Sequence, residues 1–263
     1  METQQHIFKI VIIGAGNVAT HLAKRLQKKG NEVLQIVSRS EKNAQELSLA
    51  LHAPYVTDIK KINKQADIYI LCTPDDAIEK IANTLKLPKK LVLHTSGSVN
   101  LSVLKKISTT TGVIYPLQSF SKQVKISFVD VPLLIEGNNA TSLQQIKMLA
   151  QSLSKNVSEV NSANRLKLHL AATMVNNFTN HIYSLSYDFL SNEKPNLFHL
   201  LMPLIKQSAK KIKTQKPAAV QTGPAKRGDT KTIKKHVALL KKYPEQKKVY
   251  ELFTTGIKKQ YNG

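Results

Sequence analysis

Between an apolar run, Val11-Ile12-Ile13, and an amphipathic stretch from Val18 to Lys29, the chain carries Gly14-Ala15-Gly16-Asn17-Val18-Ala19. A strand that must turn at once into a helix needs a residue without a Cβ at the turn, which Gly14 supplies. Gly16 lets the backbone approach a bulky anion, and Ala19 stands where a third glycine is common and a methyl is tolerated. The helix that follows presents unpaired N–H groups and the positive end of its dipole. The motif is weak alone. Flanked by a strand and a helix, with a second strand ending about 20 residues on, it specifies a dinucleotide-binding βαβ unit with Gly14, Gly16, Asn17 and Val18 against the pyrophosphate.

The end of the second strand selects the dinucleotide. NAD users place a carboxylate there for the ribose 2′-hydroxyl, whereas this chain offers Ser38-Arg39-Ser40. An arginine can pair with a 2′-phosphate while hydroxyls donate further bonds, so NADP is the expected cofactor. The competing reading makes Arg39 a surface residue at a strand end. The next strand ends in Leu71-Cys72-Thr73-Pro74-Asp75-Asp76, where Thr73 and Pro74 are candidates to touch the nicotinamide ribose and the two aspartates to cap the next helix. A further strand ends in His94-Thr95-Ser96-Gly97-Ser98, a polar loop that is either a carboxylate- or carbonyl-binding element or an ordinary turn.

Strand-like runs at Val11–Ile13, Val33–Val37, Ile68–Cys72, Leu91–Leu93, Gly112–Tyr115 and Val131–Ile135 alternate with helical patterns. Their continuous apolar character predicts an α/β fold with a doubly wound, mostly parallel Rossmann sheet covered on both faces. After about Asn156 the strand signals stop. Helices are expected near 161–190, 196–214, 229–242 and 244–260, with Asp229 as an N-cap. The chain is thus expected to divide into a Rossmann NADP-binding domain, 1–160, and an all-α domain, 161–263, to which the resemblance given below assigns substrate binding and dimerisation. From Leu168 to Asn192 there is no Lys, Arg or Glu, which predicts a buried helix whose uncharged polar stripe faces a ligand cleft, water or a second subunit, and so suggests a homodimer.

Charge limits the partners. The 39 Lys and Arg against 17 Asp and Glu give +22, only four of the cations are Arg, and residues 194–263 hold 17 basic against three acidic side chains. A field of that sign favours anionic ligands. The lysine doublets sit on amphipathic patterns, so they read as solvated helix faces, and nucleic-acid binding is not expected. Apolar runs are too short to cross a bilayer, no metal site is expected, and a strand starting within about seven residues of Met1 leaves no room for a secretory signal, which predicts a cytoplasmic protein. Cys72, the only cysteine, reads as a small buried hydrophobe.

Taken in order, these residues resemble the family that joins 6-phosphogluconate and 3-hydroxyacid dehydrogenases to pyrroline-5-carboxylate reductase and the deazaflavin-dependent NADP oxidoreductases. Within it the chain is similar to bacterial Rossmann-like proteins carrying the C-terminal domain of unknown function 2520. The similarity rests on His94-Thr95-Ser96-Gly97, Tyr115-Pro116-Leu117-Gln118-Ser119-Phe120, His169 to Phe178, and Gly223-Pro224-Ala225-Lys226-Arg227-Gly228-Asp229. The resemblance implies an NADP-binding domain, a helical dimerisation domain and reductase activity. It also exposes a departure. The hydroxyacid dehydrogenases carry a catalytic lysine four residues before an asparagine, and Thr173-Met174-Val175-Asn176-Asn177 resembles that element with threonine in lysine's place.

The expected function is therefore an NADPH-dependent reductase transferring a hydride to a ketone or imine of a small carboxylate-bearing substrate. The alternative is a non-catalytic NADP(H) sensor or scaffold. His169, one turn before Thr173, is the candidate acid because an imidazole ordinarily titrates near neutrality; a satisfied histidine is the other reading. Ser96, Gly97, Ser98, Thr173 and Arg227 are candidates to touch the substrate, with Ser96 and Asn177 orienting it.

Overall fold

The computed structural model describes residues 7–191 and 195–262. Its contacts divide the chain into a unit ending at Met174 and one beginning at Val175. The first unit runs β1 (Lys9–Ile13), α1 (Asn17–Lys28), β2 (Glu32–Val37), α2 (Glu41–Leu51), β3 (Tyr55–Val56), β4 (Ile68–Leu71), α3 (Asp75–Thr84), β5 (Leu91–His94), β6 (Thr110–Pro116), β7 (Leu133–Gly137), α4 (Ala140–Leu153), β8 (Val157–Glu159) and α5 (Ser162–Ala172). These strands form one sheet in the order β3-β2-β1-β4-β5-β6-β7-β8, parallel except where β7 meets β6.

β1 shows why the strands are apolar without alternation. Successive side chains leave opposite faces of a sheet. Ile10 and Ile12 enter one core with Leu22 and Leu26 of α1, while Val11 and Ile13 enter the other with Tyr69 and Leu71 of β4. Helices cover both faces, so neither set can be polar. The chain order reverses direction between β1 and β4, and such a switch point opens a crevice at the carboxyl ends of the strands.

The sheet extends past the expected limits. β8 lies beyond Asn156, where no further strand is expected, and is held by three residues pairing with β7. The run expected at Val131–Ile135 is displaced: Phe128–Asp130 forms a 3-10 turn and the strand is Leu133–Gly137. The two-residue β3 is too short to leave a periodic signal.

The second unit is helical: α6 (Thr179–Phe189), α7 (Met202–Lys211), α8 (Pro217–Val220), α9 (Thr230–Leu239) and α10 (Pro244–Asn262). Asp229 caps α9, accepting from the Thr232 N–H at 3.0 Å and its hydroxyl at 2.7 Å. The side chains of α6, α9 and α10 surround an apolar cleft of about 560 Å³. The helix expected at 161–190 is present as one helical run from Ser162 to Phe189, in which Thr173–Phe178 forms a π-helical turn between α5 and α6. Within the single chain it is not buried: Leu170 is 60% exposed, Val175 74% and Phe178 55%. Missing charge marks an apolar face, and nothing among the described residues covers this one. No helix among them is long and apolar enough to cross a membrane.

Candidate active site

The nucleotide end of the crevice is built from backbone. Gly14 has φ +114°, its N–H donates to the Val37 carbonyl at 2.7 Å, and a Cβ there would stand 2.2 Å from the Cys72 carbonyl oxygen. No residue with a side chain could make this turn from β1 while touching the end of β4. Gly16 is the opposite case, since a Cβ on it would meet nothing within 4 Å. That open space lies before α1, whose first turn carries no acidic residue and whose N-cap, Gly16, provides no side-chain hydrogen bond. Asn17 is exposed and Val18 half-buried, while Ala19 is fully buried against the sheet. The cradle fits a dinucleotide pyrophosphate.

At the end of β2, Arg39 and Ser40 are exposed and Ser38 is half-buried. The Ser38 hydroxyl donates to the Ser40 carbonyl at 3.4 Å, and Ser40 Oγ caps α2 by accepting from the Asn43 N–H, also at 3.4 Å. No carboxylate occupies the three residues that follow the strand. Thr73 follows β4, and its Oγ1 is buried without a partner among the described residues. Pro74 is the N-cap of α3. Asp75 and Asp76 do not cap that helix: the Asp75 carboxylate accepts from the Ser98 hydroxyl, and Asp76 pairs with Lys80 at 3.5 Å. A proline N-cap places both aspartates inside the first turn, where their side chains face outward. Cys72 is buried, and desolvation pushes its thiol up to about 12, which leaves it protonated and inert.

The other end of the crevice is assembled from three segments. In the loop after β5, Ser96 Oγ accepts from the N–H groups of Ser98 at 3.1 Å and Val99 at 3.0 Å. Two of the main-chain donors available to an anion are thus already engaged. Gly97 is where α5 makes contact: a Cβ on it would lie 2.6 Å from Cγ and Nδ1 of His169. The His169 ring therefore packs on bare backbone. Its Nδ1 shares a 3.0 Å hydrogen bond with the Tyr115 hydroxyl at the end of β6, and the rings meet edge to face. Burial raises the Tyr115 phenol, Arg165 opposes the rise and Asp75 adds to it. The phenol stays protonated at neutral pH. Thr173, in the position of the dehydrogenase lysine, spends its hydroxyl on the His169 carbonyl at 3.1 Å.

Arg165 fixes α5 in place. Its side chain is fully buried and pairs with Glu136 of β7, while Nη2 donates to the Val99 carbonyl and to Ser162 Oγ. Glu136 also accepts from the Ser162 N–H at 3.0 Å and hydroxyl at 2.8 Å. Arg165 lies one turn before His169, so this network sets the register in which His169 meets Gly97. Beneath the loop, His94 is fully buried. Its Nδ1 accepts from the Ser96 N–H at 3.1 Å, and its Nε2 has no partner among the described residues. Burial, with Arg165 adding to it, pushes this imidazole down to about 3, against an opposing pull from Asp75.

Ser96, Gly97, Ser98 and His169 thus meet in the first unit, close to Tyr115, whereas Asn177 and Arg227 belong to the second. Asn177 is exposed and accepts from Asn176 at 3.0 Å. Arg227 is exposed in the turn before Asp229. His94 and Tyr115 stand out in the sequence only as members of the polar loop and of a shared motif, and Glu136 and Arg165 carry no role there. Arg165 had a signal: in a chain whose default cation is lysine, each of the four arginines asks for a reason, and a buried fork of donors is one.

Comparison with known proteins agrees with this geometry. Residues 9–97 match the family described as coenzyme F420-dependent NADP oxidoreductase, and residues 131–257 match domain of unknown function 2520. A Bacteroides fragilis protein provisionally named as an NADP oxidoreductase is 37% identical, covering 96% of this chain and 98% of that one with a TM-score of 0.90. Two others share the fold. A 1-pyrroline-5-carboxylate reductase from Streptococcus pyogenes is 17% identical over 96% of this chain and 99% of its own, with a TM-score of 0.61. An imine reductase from Myxococcus stipitatus in complex with NADP+ is 16% identical over 95% and 93%, with a TM-score of 0.64. The chain spans only 23% of the length of the curated relative it matches, a glutamyl-tRNA reductase. The likeness to the Bacteroides protein runs through both parts, and the chain belongs to the NADP oxidoreductase family in which this nucleotide-binding domain is followed by a DUF2520 domain.

Proposed function

We propose that the chain is an NADPH-dependent reductase acting on the ketone or imine of a small carboxylate-bearing molecule. The observation that carries this reading is the Tyr115–His169 pair seated on Gly97, at the carboxyl ends of the same sheet whose β1, β2 and β4 ends form the nucleotide cradle. Gly14, Gly16, Asn17 and Val18 hold the pyrophosphate, Ser38, Arg39 and Ser40 the 2′-phosphate, and Thr73 and Pro74 the nicotinamide ribose. When bound, NADPH supplies the hydride. The chain supplies the proton. Tyr115 keeps its phenolic hydrogen at neutral pH, and His169 Nδ1, 3.0 Å away, can replace it from the ring side. This pair takes over the task of the lysine that Thr173 displaces. Ser96, Gly97 and Ser98 shape the floor that orients the substrate, beside Thr173. The imine-reducing proteins of the same fold make an imine the first substrate class to test.

The test is consumption of NADPH with a panel of small 2-oxo acids and cyclic imines. Turnover that falls in Tyr115→Phe and His169→Ala is the expected result, and full activity in both variants contradicts it. One observation favours a second reading, an NADP(H) sensor without turnover: the Thr173 hydroxyl is bonded back to its own helix and has no proton to offer in lysine's place. Tight NADPH binding with no consumption across the panel selects it.

The assembly proposed is a homodimer through the helical part. Leu170, Met174, Val175 and Phe178 form an uncovered apolar stretch around the π turn, which a second copy would bury. Sedimentation at micromolar concentration should give twice the chain mass, and Val175→Glu should shift it to the monomer.

A further inference from the structure

Lys122 lies between β6 and β7, far in sequence from the end of β2, yet the fold delivers it there. Its Nζ is 2.9 Å from Asn43 Oδ1 and 3.0 Å from Glu46 Oε2, both on α2. Asn43 is the residue whose N–H the Ser40 hydroxyl accepts. Residues three apart on a helix are surface neighbours, with Cβ atoms about 5–6 Å apart, so the ammonium stands within a turn of Ser40. The segment that carries it is anchored by the two residues before Lys122. His21 Nε2 lies 2.9 Å from the Ser121 carbonyl oxygen, and the Phe120 ring packs on His21 at 5.2 Å and stacks on Phe128 at 5.9 Å.

We propose that Lys122 is a second cation of the 2′-phosphate site, partnering Arg39 and determining the preference for NADPH over NADH. This rests on the reading of Ser38-Arg39-Ser40 given above. An ammonium has three N–H bonds; Asn43 and Glu46 take two, and the third is available to a phosphate oxygen. The Lys122 side chain is 25% exposed, so its charge is less screened than that of Arg39 on the open surface. Glu46 has the opposite effect. It steadies the ammonium but repels an incoming phosphate.

A purely structural clasp between Lys122 and Glu46 makes a different prediction, and the two part in sign at Glu46. Calorimetric titration of NADPH and NADH into the full chain, the Lys122→Ala variant and the Glu46→Gln variant separates them. Lys122→Ala should weaken NADPH about tenfold and leave NADH within about twofold. Glu46→Gln should tighten NADPH by roughly two- to threefold without affecting NADH. Loss of NADPH affinity in both variants, or equal loss of both dinucleotides in Lys122→Ala, overturns the proposal in favour of the clasp. A Lys122→Ala protein that keeps the full preference for NADPH overturns the role of Lys122 alone. An unsubstituted chain with no preference overturns the cofactor reading with it.

Discussion

The two ends of the crevice treat their polar groups in opposite ways. At the glycine loop few are spent: the Gly14 N–H donates to Val37, but α1 begins without a side-chain cap, Gly16 faces open space, and Thr73 Oγ1 is buried without a partner among the described residues. At the other end most are spent on each other, through Ser96 on its own loop, Ser98 on Asp75, Tyr115 on His169, and Arg165 on Glu136, Val99 and Ser162, and only the buried His94 Nε2 and Arg165 Nε stay without a partner among the described residues. The first arrangement can accept an anion without breaking any bond of the protein. The second holds a proton-bearing pair in one geometry before any substrate arrives, which is the condition for efficient proton transfer.

Substitutions that affect one end and spare the other test that contrast. The largest effect is expected from Glu136→Gln, which leaves the buried Arg165 without its countercharge. Chemical unfolding should show a loss of about 3–5 kcal/mol, with NADPH affinity of the remaining folded protein intact. A loss under about 1 kcal/mol would mean that the network does not hold α5. Next is Tyr115→Phe, for which turnover should fall about a hundredfold while NADPH affinity is unchanged. Parallel loss of both would join the two ends that are here kept apart.

His94 gives a pH signature to the paired end. Its imidazole is held down to about 3, whereas in the unfolded chain it titrates near 6.5. Between those values the unfolded chain binds a proton that the native chain refuses. Stability present above pH about 6.5 is therefore lost as pH falls toward 3, with a slope approaching about 1.4 kcal/mol per pH unit from this group. In His94→Asn the side-chain oxygen can still accept from the Ser96 N–H, and urea midpoints measured across that window should flatten. An unchanged slope would place the acid sensitivity elsewhere. The smallest structural effect belongs to the open end: Gly16→Ala should unfold within about 1 kcal/mol of the parent, because its Cβ meets no protein atom, yet weaken NADPH by about tenfold or more. Unchanged affinity would show that the pyrophosphate does not approach Gly16.

The same contrast explains what could be read from the chain alone. Gly14 is legible because a turn with φ +114° against the Cys72 carbonyl admits no other residue, so the backbone requirement is written in the sequence at the point where it acts. The buried strands are legible for a similar reason, since both faces of β1 must be apolar. Tyr115 and His169 are ordinary residues 54 positions apart, and only the docking of α5 on Gly97 brings them together. Lys122 reaches Asn43 across 79 positions through an anchored connection that has no periodic pattern. β8 leaves no signal because three residues of edge strand need no apolar run, and the uncharged stretch that begins at Leu168 marks an apolar face without saying what covers it.

If the open end binds NADPH so that the paired end can complete a reduction, rapid mixing of the NADPH-loaded protein with cyclic imines and 2-oxo acids reveals it. Emission of the reduced nicotinamide, excited beyond the absorption of the protein's own side chains, follows the reaction. Loss of one equivalent of that emission per site with at least one substrate class, slowed about a hundredfold in Tyr115→Phe, is the expected result. Tight binding with stable emission across both classes, the same in the parent and in Tyr115→Phe, would contradict it.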